Sequence, residues 1–263
     1  METVENKPLL DIRDLSIQFG GLKAVSGMNL TVQRQELIGM IGPNGAGKTT
    51  VFNMITGVYP PTGGDIRLEG RSIVKLSPYK ITRLGISRTF QNIRLFKDMT
   101  VLDNVKVAYH SQAKHSILSS IFRLPGHFSG EREMEEKAVS LLEIFRLEDK
   151  RNELAKNLPY GEQRKLEIAR ALAADPKLLL LDEPAAGMNP KETRELMELI
   201  RFIQEKFELT ILLIEHDMSL VMGICERIAV LDHGQLIAEG SPEEVRNNKR
   251  VIEAYLGEEV KAL

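Results

Sequence analysis

Three short runs of almost continuous apolar residues stand out along the chain. They cover residues 37–42 (LIGMIG), 178–183 (LLLLDE) and 210–216 (TILLIEH). A strand has such uninterrupted apolarity when it is covered on both faces, as in a parallel sheet. We therefore predict that the three runs are strands of a mainly parallel sheet in an α/β fold.

Each apolar run ends in residues that could carry chemistry. A glycine-rich turn follows Ile41, the second run ends in Asp182 and Glu183, and the third ends in Glu215 and His216. In open α/β sheets, ligands bind beyond the carboxyl ends of the strands. The three ends therefore predict one site at a common edge of the sheet.

Alternation of apolar and polar residues marks a second kind of segment. Residues 9–21 and 63–73 alternate in this way and carry glycine turns, which predicts antiparallel strands at the side of the sheet. Residues 132–147 carry an apolar stripe with a period of about 3.6 residues, which predicts a helix. The stretch 108–130 contains Pro125 and two glycines, and we interpret it as an irregular insertion.

Two more helices are predicted in the second half of the chain. One covers residues 161–175 and the other covers residues 190–207. Asn189 is placed to cap the second helix, and Pro190 is placed at its first position, where a missing N–H is tolerated.

The glycine-rich turn matches the phosphate-binding pattern G-x-x-x-x-G-K-[ST]. Glycines let backbone N–H groups turn inward around an anion, and the helix that follows adds partial positive charge. We predict that Lys48 reaches the outer phosphates of a bound nucleotide and that the Thr49 hydroxyl is a Mg²⁺ ligand. The predicted cradle comprises Gly42, Pro43, Asn44, Gly45, Ala46, Gly47, Lys48, Thr49 and Thr50.

The adjacent acids Asp182 and Glu183 need a reason to follow an apolar strand, because neighbouring carboxylates repel each other. Beside a phosphate-binding loop, Asp182 is predicted to hold Mg²⁺ together with Thr49, and bound Mg²⁺ would offset the repulsion. Glu183 is predicted to orient or deprotonate the attacking water. The alternative is a strand that runs into a solvated loop with ordinary acids.

Composition narrows the class of protein. The 263 residues are 43% hydrophobic and 27% charged, and a formal net charge of -2 gives no basic field for nucleic acid. The single cysteine, Cys225, excludes an internal disulfide framework and fits a reducing compartment. We expect no signal peptide, and no apolar run approaches the ~20 residues of a membrane helix. Work at a membrane would therefore need a partner protein.

Four further motifs accompany the phosphate loop and the two acids. RTFQ covers residues 88–91, EHD covers residues 215–217, LPYGEQRKLEIARAL begins at Leu158, and AGMNP ends at Pro190. Together with the phosphate loop and the LLLLDE run, they resemble in order and spacing the motifs of the ATP-binding subunits of ABC transporters. The resemblance implies a P-loop NTPase fold with a RecA-like, mainly parallel sheet core, an antiparallel β subdomain and a helical subdomain.

The resemblance also predicts domain organisation and location. A single ABC ATP-binding domain, 1–263, would consist of a catalytic core with the antiparallel β subdomain, 1–91 and 156–263, and a helical subdomain, 92–155. The chain would be a peripheral protein on the cytoplasmic face of the inner or plasma membrane.

The resemblance assigns roles to single residues. Phe19 would stack on adenine, Gln91 would join the Mg²⁺ and water shell and sense the membrane subunit, and His216 would contact the γ-phosphate or hold the attacking water. Gly161 would face a phosphate across a dimer of ATPase subunits. Without the family, these residues could be a core aromatic, a surface glutamine and a structural histidine. The implied catalytic residues are Glu183, His216 and Gln91, and the implied metal ligands are Thr49, Gln91 and Asp182.

Two departures from the family pattern concern that dimer. Where the signature is usually L-S-G-G-Q, residues 158–162 read LPYGE, so the serine hydroxyl is absent and Pro159 lacks an N–H. Asn189 stands where the D-loop usually has aspartate. We therefore predict a heterodimer in which a second ATPase subunit has a more standard signature.

Longer stretches are most similar to one of the two ATPase subunits of branched-chain amino-acid importers, notably residues 85–105, 212–245 and 251–259. That resemblance implies two integral-membrane permeases, an extracytoplasmic amino-acid-binding protein, and Leu, Ile or Val as the substrate. Related transporters of urea, amides or lipopolysaccharide remain alternatives. So do a non-transport ABC protein acting on ribosomes or DNA and a nucleotide binder without turnover. The single cassette and near-neutral charge argue against a nucleic-acid partner.

Overall fold

The computed structural model describes residues 7–110 and 125–259. The chain divides into two compact units, Met1–Arg88 with Lys177–Leu263 and Thr89–Pro176. The first unit contains two sheets with their flanking helices, and the second is mainly helical. Residues 89–91 and 156–176, which the resemblance assigned to the catalytic core, fall in the second unit.

Two sheets make up the first unit. The strands are β1 (Leu10–Phe19), β2 (Leu22–Val32), β3 (Leu37–Ile41), β4 (Gly63–Leu68), β5 (Arg71–Ser72), β6 (Ile86–Arg88), β7 (Leu178–Asp182), β8 (Thr210–Ile214), β9 (Arg227–Asp232) and β10 (Gln235–Gly240). The main sheet has the order β10-β9-β3-β8-β7-β6, in which all neighbours are parallel except β9 and β10. The predicted strands in the three apolar runs are therefore confirmed, with β8 between β3 and β7.

Burial explains the composition of the central strands. Every residue of β3, β7 and β8 is buried, because each strand has a parallel neighbour on both sides and both faces of the sheet are covered. Burial of one such Leu or Ile side chain contributes about 1.5–3 kcal/mol relative to exposure.

The second sheet is antiparallel and has the order β2-β1-β4-β5. This confirms the antiparallel strands predicted within residues 9–21 and 63–73. The buried residues of β1 are Leu10, Ile12, Leu15 and Ile17, with a shift in register between Ile12 and Leu15, and they join the same apolar core as the main sheet.

The helices of the described residues are α1 (Lys48–Ile55), α2 (Pro78–Arg83), α3 (Val101–His110), α4 (Pro125–Ile144), α5 (Tyr160–Leu172), α6 (Pro190–Lys206), α7 (Met218–Ile224), α8 (Pro242–Arg246) and α9 (Lys249–Glu259). None of them is long and apolar enough to cross a membrane. The predicted cap of α6 is confirmed, because the Asn189 side chain accepts hydrogen bonds from the N–H groups of Lys191 and Glu192. Pro190 occupies the first helical position.

The predicted irregular insertion needs a correction. Residues 108–110 complete α3, and residues 125–130 form the start of α4, so these parts are helical. Pro125 did not signal a break, since proline is tolerated in the first turn of a helix. Residues 111–124 of the insertion lie outside the described residues.

Helices α3, α4 and α5 contact one another in the second unit. Their buried side chains form its apolar interior, and they include Val101, Val105, Ala138, Leu142 and Leu166.

Candidate functional site

The phosphate loop joins the end of β3 to the start of α1. Gly42 has a φ of 148°, and a Cβ there would lie 2.0 Å from the carbonyl oxygen of Leu231. Gly47 has a φ of 103°, and a Cβ there would lie 2.6 Å from the carbonyl oxygen of Ala24. Because both backbone conformation and space exclude a side chain, the glycines of the motif are structural requirements of this loop.

Lys48 places its ammonium group against the loop that precedes it. Its side chain is buried, and Nζ donates to the carbonyl oxygens of Gly42 at 2.6 Å and Pro43 at 2.9 Å. Thr49 lies in the first turn of α1 and is exposed, as is Asn44 in the loop. The structure thus holds a positive charge at a loop whose neighbouring side chains are accessible.

Asp182 is neutralised by Arg88, which the sequence reasoning missed. Arg88 Nη2 donates to Asp182 Oδ2 at 2.6 Å, and Asp182 is only 2% exposed. Nη1 of Arg88 donates to Asn53 Oδ1 at 2.7 Å, and its guanidinium lies over the ring of Phe52. Arg88 ends β6 directly after the buried residues Ile86 and Ser87, and no local pattern in the sequence indicated its partner; a buried cation needs a buried anion.

Glu183 diverges from Asp182 because its backbone turns sharply. It has a φ of 47°, and its N–H donates to the carbonyl oxygen of Ile214 at the end of β8. Glu183 Oε1 lies 2.8 Å from His216 Nε2, within hydrogen-bonding distance. The predicted catalytic acid and histidine are therefore adjacent.

Glu215 organises the segments on both sides of this pair. Its buried carboxylate accepts hydrogen bonds from the N–H groups of Ala185 at 2.7 Å, His216 at 3.0 Å and Asp217 at 3.4 Å. Burial raises the pKa of the Glu215 carboxyl, and the negative charge of Glu183 adds to that rise, whereas the three N–H groups lower it. The sequence pointed to Glu215 as an end-of-strand acid but gave no partner for it.

Phe19 is not a core aromatic. It ends β1, is 45% exposed, and meets Tyr59 edge-on, with ring centroids 5.3 Å apart and an interplanar angle of 75°. Such a T-shaped pair stabilises the orientation of both rings. Tyr59 was not predicted, and nothing in its local sequence distinguishes it from a surface tyrosine.

The second unit contains Gln91 and the signature segment. Helix α5 begins at Tyr160, directly after Pro159, and Gly161 is its second residue. Arg164 of α5 donates from Nη2 to the carbonyl oxygen of Gln91 at 2.7 Å.

The predicted metal ligands are hard oxygen donors. No group of three or more His, Cys, Asp or Glu side chains in residues 7–110 and 125–259 could hold a metal ion by itself. Mg²⁺ commonly takes only one or two carboxylates and completes its shell with water and substrate phosphates. The Asp182 carboxylate and the Thr49 hydroxyl fit that mode of binding.

Two protein-family models match parts of this chain. The family model described as "ABC transporter" matches residues 25–186. A second model, described as "Branched-chain amino acid ATP-binding cassette transporter", matches residues 235–261.

Individual proteins are similar over nearly the whole chain. BraF of Pseudomonas aeruginosa, a high-affinity branched-chain amino acid transport ATP-binding protein, is 50% identical over 96% of this chain and 99% of its own. LivG of Escherichia coli (strain K12), with the same description, has the same identity and coverage. The lipopolysaccharide export system ATP-binding protein LptB of Escherichia coli (strain K12) is 34% identical over 95% of this chain and 98% of its own.

Solved structures of ATP-binding cassettes are also similar to this chain. The ADP conformation of MJ1267, an ATP-binding cassette of an ABC transporter, matches with a TM-score of 0.83 and 32% identity, covering 96% of this chain and 100% of its own. A dimeric post-hydrolysis structure of the cassette MJ0796, bound to ADP and Pi, matches with a TM-score of 0.75 and 25% identity, covering 89% and 98%. The chain therefore belongs to the ABC transporter family, as a nucleotide-binding subunit that hydrolyses ATP.

Proposed function

We propose that this chain powers the import of branched-chain amino acids across a membrane. The observation that carries the proposal is the 50% identity, over almost the full length of both chains, to BraF and LivG. The match of residues 235–261 to the branched-chain cassette model supports the same substrate class. The 34% identity to LptB makes lipopolysaccharide transport the weaker candidate.

The geometry supports a division of labour in ATP binding. The loop Gly42–Thr50 holds the triphosphate, with the Lys48 ammonium on its outer phosphates. Phe19 stacks on the adenine base. Asp182 and Thr49 hold Mg²⁺, which supplies charge neutralisation to the phosphates when bound.

Hydrolysis is assigned to the pair at the ends of β7 and β8. Glu183 accepts the proton of the attacking water, and His216, whose Nε2 lies 2.8 Å from Glu183 Oε1, contacts the γ-phosphate or holds that water. Gln91 joins the Mg²⁺ and water shell and senses the state of the membrane subunit.

The proposed partners follow from the signature segment. Pro159 and Tyr160 replace the usual serine and glycine of the signature. A second ATPase subunit with a standard signature therefore completes the ATP site on the phosphate loop of this chain. Gly161 of this chain faces the ATP in the second site. A heterodimer of this kind binds two integral-membrane permeases from the cytoplasmic side, and an extracytoplasmic binding protein delivers the amino acid. Support for a dimer comes from the dimeric MJ0796 cassette.

Reconstitution tests the proposal. The chain is co-expressed with the proposed permeases and second ATPase subunit, and the purified complex is placed in proteoliposomes with the proposed binding protein. We expect ATP-dependent uptake of Leu, Ile or Val. Lys48→Ala should abolish the uptake. Lys191→Ala is the control and should leave it unchanged, because the Lys191 side chain is 81% exposed. Co-purification with ribosomes or DNA instead of permeases, or uptake confined to urea or amides, would overturn the proposed substrate.

A further inference from the structure

A fully buried ion pair lies on the signature helix α5. Arg164 Nη1 and Glu167 Oε2 are 2.8 Å apart, and their side chains are 0% and 1% exposed. Burial of two charges is costly, and their mutual attraction offsets that cost only when further hydrogen bonds satisfy the remaining donors and acceptors. The other partners of this pair therefore indicate what it does.

Those partners are backbone groups of the segment that contains Gln91. Arg164 donates to the carbonyl oxygens of Phe90 at 2.6 Å and Gln91 at 2.7 Å. Glu167 Oε1 accepts from the N–H groups of Arg94 at 3.1 Å and Phe90 at 3.4 Å. The pair thus holds peptide groups on both sides of Gln91, and charge-assisted bonds of this type are the stronger class of hydrogen bond.

Tyr160 connects the same arginine to the altered signature. Its hydroxyl lies 3.3 Å from Arg164 Nη2, the nitrogen that also donates to Gln91. Tyr160 occupies the signature position at which the family usually has glycine, which cannot make this contact. The departure from the family pattern therefore adds a link between the first turn of α5 and the Gln91 segment.

We propose that Arg164 and Glu167 are positioning residues that fix the backbone of Gln91, and that Tyr160 couples the signature segment to that backbone through Arg164. The proposal rests on the role in the Mg²⁺ and water shell proposed above for Gln91. A change at the signature then alters the placement of Gln91 without any contact between Tyr160 and the nucleotide.

Hydrogen exchange in the full-length chain tests the positioning directly. We expect Arg164→Lys and Glu167→Gln to speed exchange of the Phe90 and Arg94 amides at least about tenfold, because the acceptor at position 167 loses its charge or is displaced when its ion pair is changed. Amides of β7 serve as an internal control and keep their rates. Unchanged exchange at Phe90 and Arg94 in both folded variants would overturn the proposal.

A functional readout separates this inference from the role of Gln91. In the assembled transporter, Gln91→Ala and Arg164→Lys are expected to raise the Mg²⁺ concentration for half-maximal ATP hydrolysis by a similar factor, about tenfold. Tyr160→Phe removes only the hydroxyl. It should raise the same Mg²⁺ concentration by a smaller factor and leave the melting temperature unchanged. A shift in Gln91→Ala without one in Arg164→Lys would refute the coupling. No shift in Gln91→Ala would instead refute the proposed role of Gln91.

Discussion

Arg88 Nη2 lies 2.6 Å from Asp182 Oδ2, and both side chains are almost completely buried. Through this ion pair, the chain itself supplies a cation to the adjacent acids that follow an apolar strand. Asp182 is neutralised by the arginine, while Glu183 turns away through its positive φ and meets His216. The role predicted for Mg²⁺ and its bound ligands in offsetting the repulsion remains a prediction, and Arg88 is a further cation that the sequence did not indicate.

Removal of Arg88 should destabilise the protein strongly. Arg88→Met would remove the guanidinium that pairs with the buried carboxylate of Asp182, and breaking such a pair costs about 3–5 kcal/mol. Urea unfolding measures the loss. Arg34→Met provides the matched control, because Arg34 pairs with Glu69 while 54% exposed, and surface pairs contribute about 0–1 kcal/mol. Equal small losses in both variants would contradict a structural role for the buried pair.

The buried carboxyl of Glu215 should make stability depend on pH. Its pKa is raised above the ordinary value of 4.5, mainly by burial. Between the ordinary pKa of the unfolded chain and the raised pKa of the folded protein, the folded protein binds more protons than the unfolded chain. The contribution of Glu215 to stability is therefore fully present below pH 4.5 and is lost as the pH rises through the folded pKa.

Urea unfolding between about pH 4 and pH 8 tests this sign. The stability of the wild type minus that of Glu215→Gln should decrease as the pH rises. Glu205→Gln, at an exposed glutamate, is measured beside it as the matched control for the change from Glu to Gln. An advantage of the wild type that grows with pH would be the opposite of the expected result.

Phe19→Ala should weaken ATP binding by about 5- to 150-fold, because stacking of a base on an aromatic ring contributes about 1–3 kcal/mol. Tyr59→Leu should weaken it less, since Tyr59 orients Phe19 without being assigned to the base. Fluorescent ATP titration measures both. An affinity for inorganic triphosphate that falls as much as that for ATP would show that the loss does not come from base stacking.

Local signals were sufficient for the main elements of the first unit. The apolar runs gave β3, β7 and β8, the glycine-rich motif gave the loop before α1, and Asn189–Pro190 gave the start of α6. Each of these features depends on residues that are close in sequence, so periodicity, capping and turn chemistry were enough to predict it.

The contacts that hold the site in place depend on residues far apart in sequence. Arg88 and Asp182 are brought together by the pairing of β6 with β7. The backbone turn at Glu183 is set by its hydrogen bond to Ile214 on the neighbouring strand. No local pattern encodes these pairings, so only the folded structure shows how the acids are kept apart.

The role of Glu183 as the group that takes the proton from water can be tested directly. Single-turnover hydrolysis of ATP is measured for Glu183→Gln, with Glu205→Gln as the control. We predict a loss of at least about 100-fold with unchanged ATP affinity, since a general base contributes about 10²–10⁴-fold. Hydrolysis by Glu183→Gln at the wild-type rate would show that Glu183 does not take the proton from the attacking water.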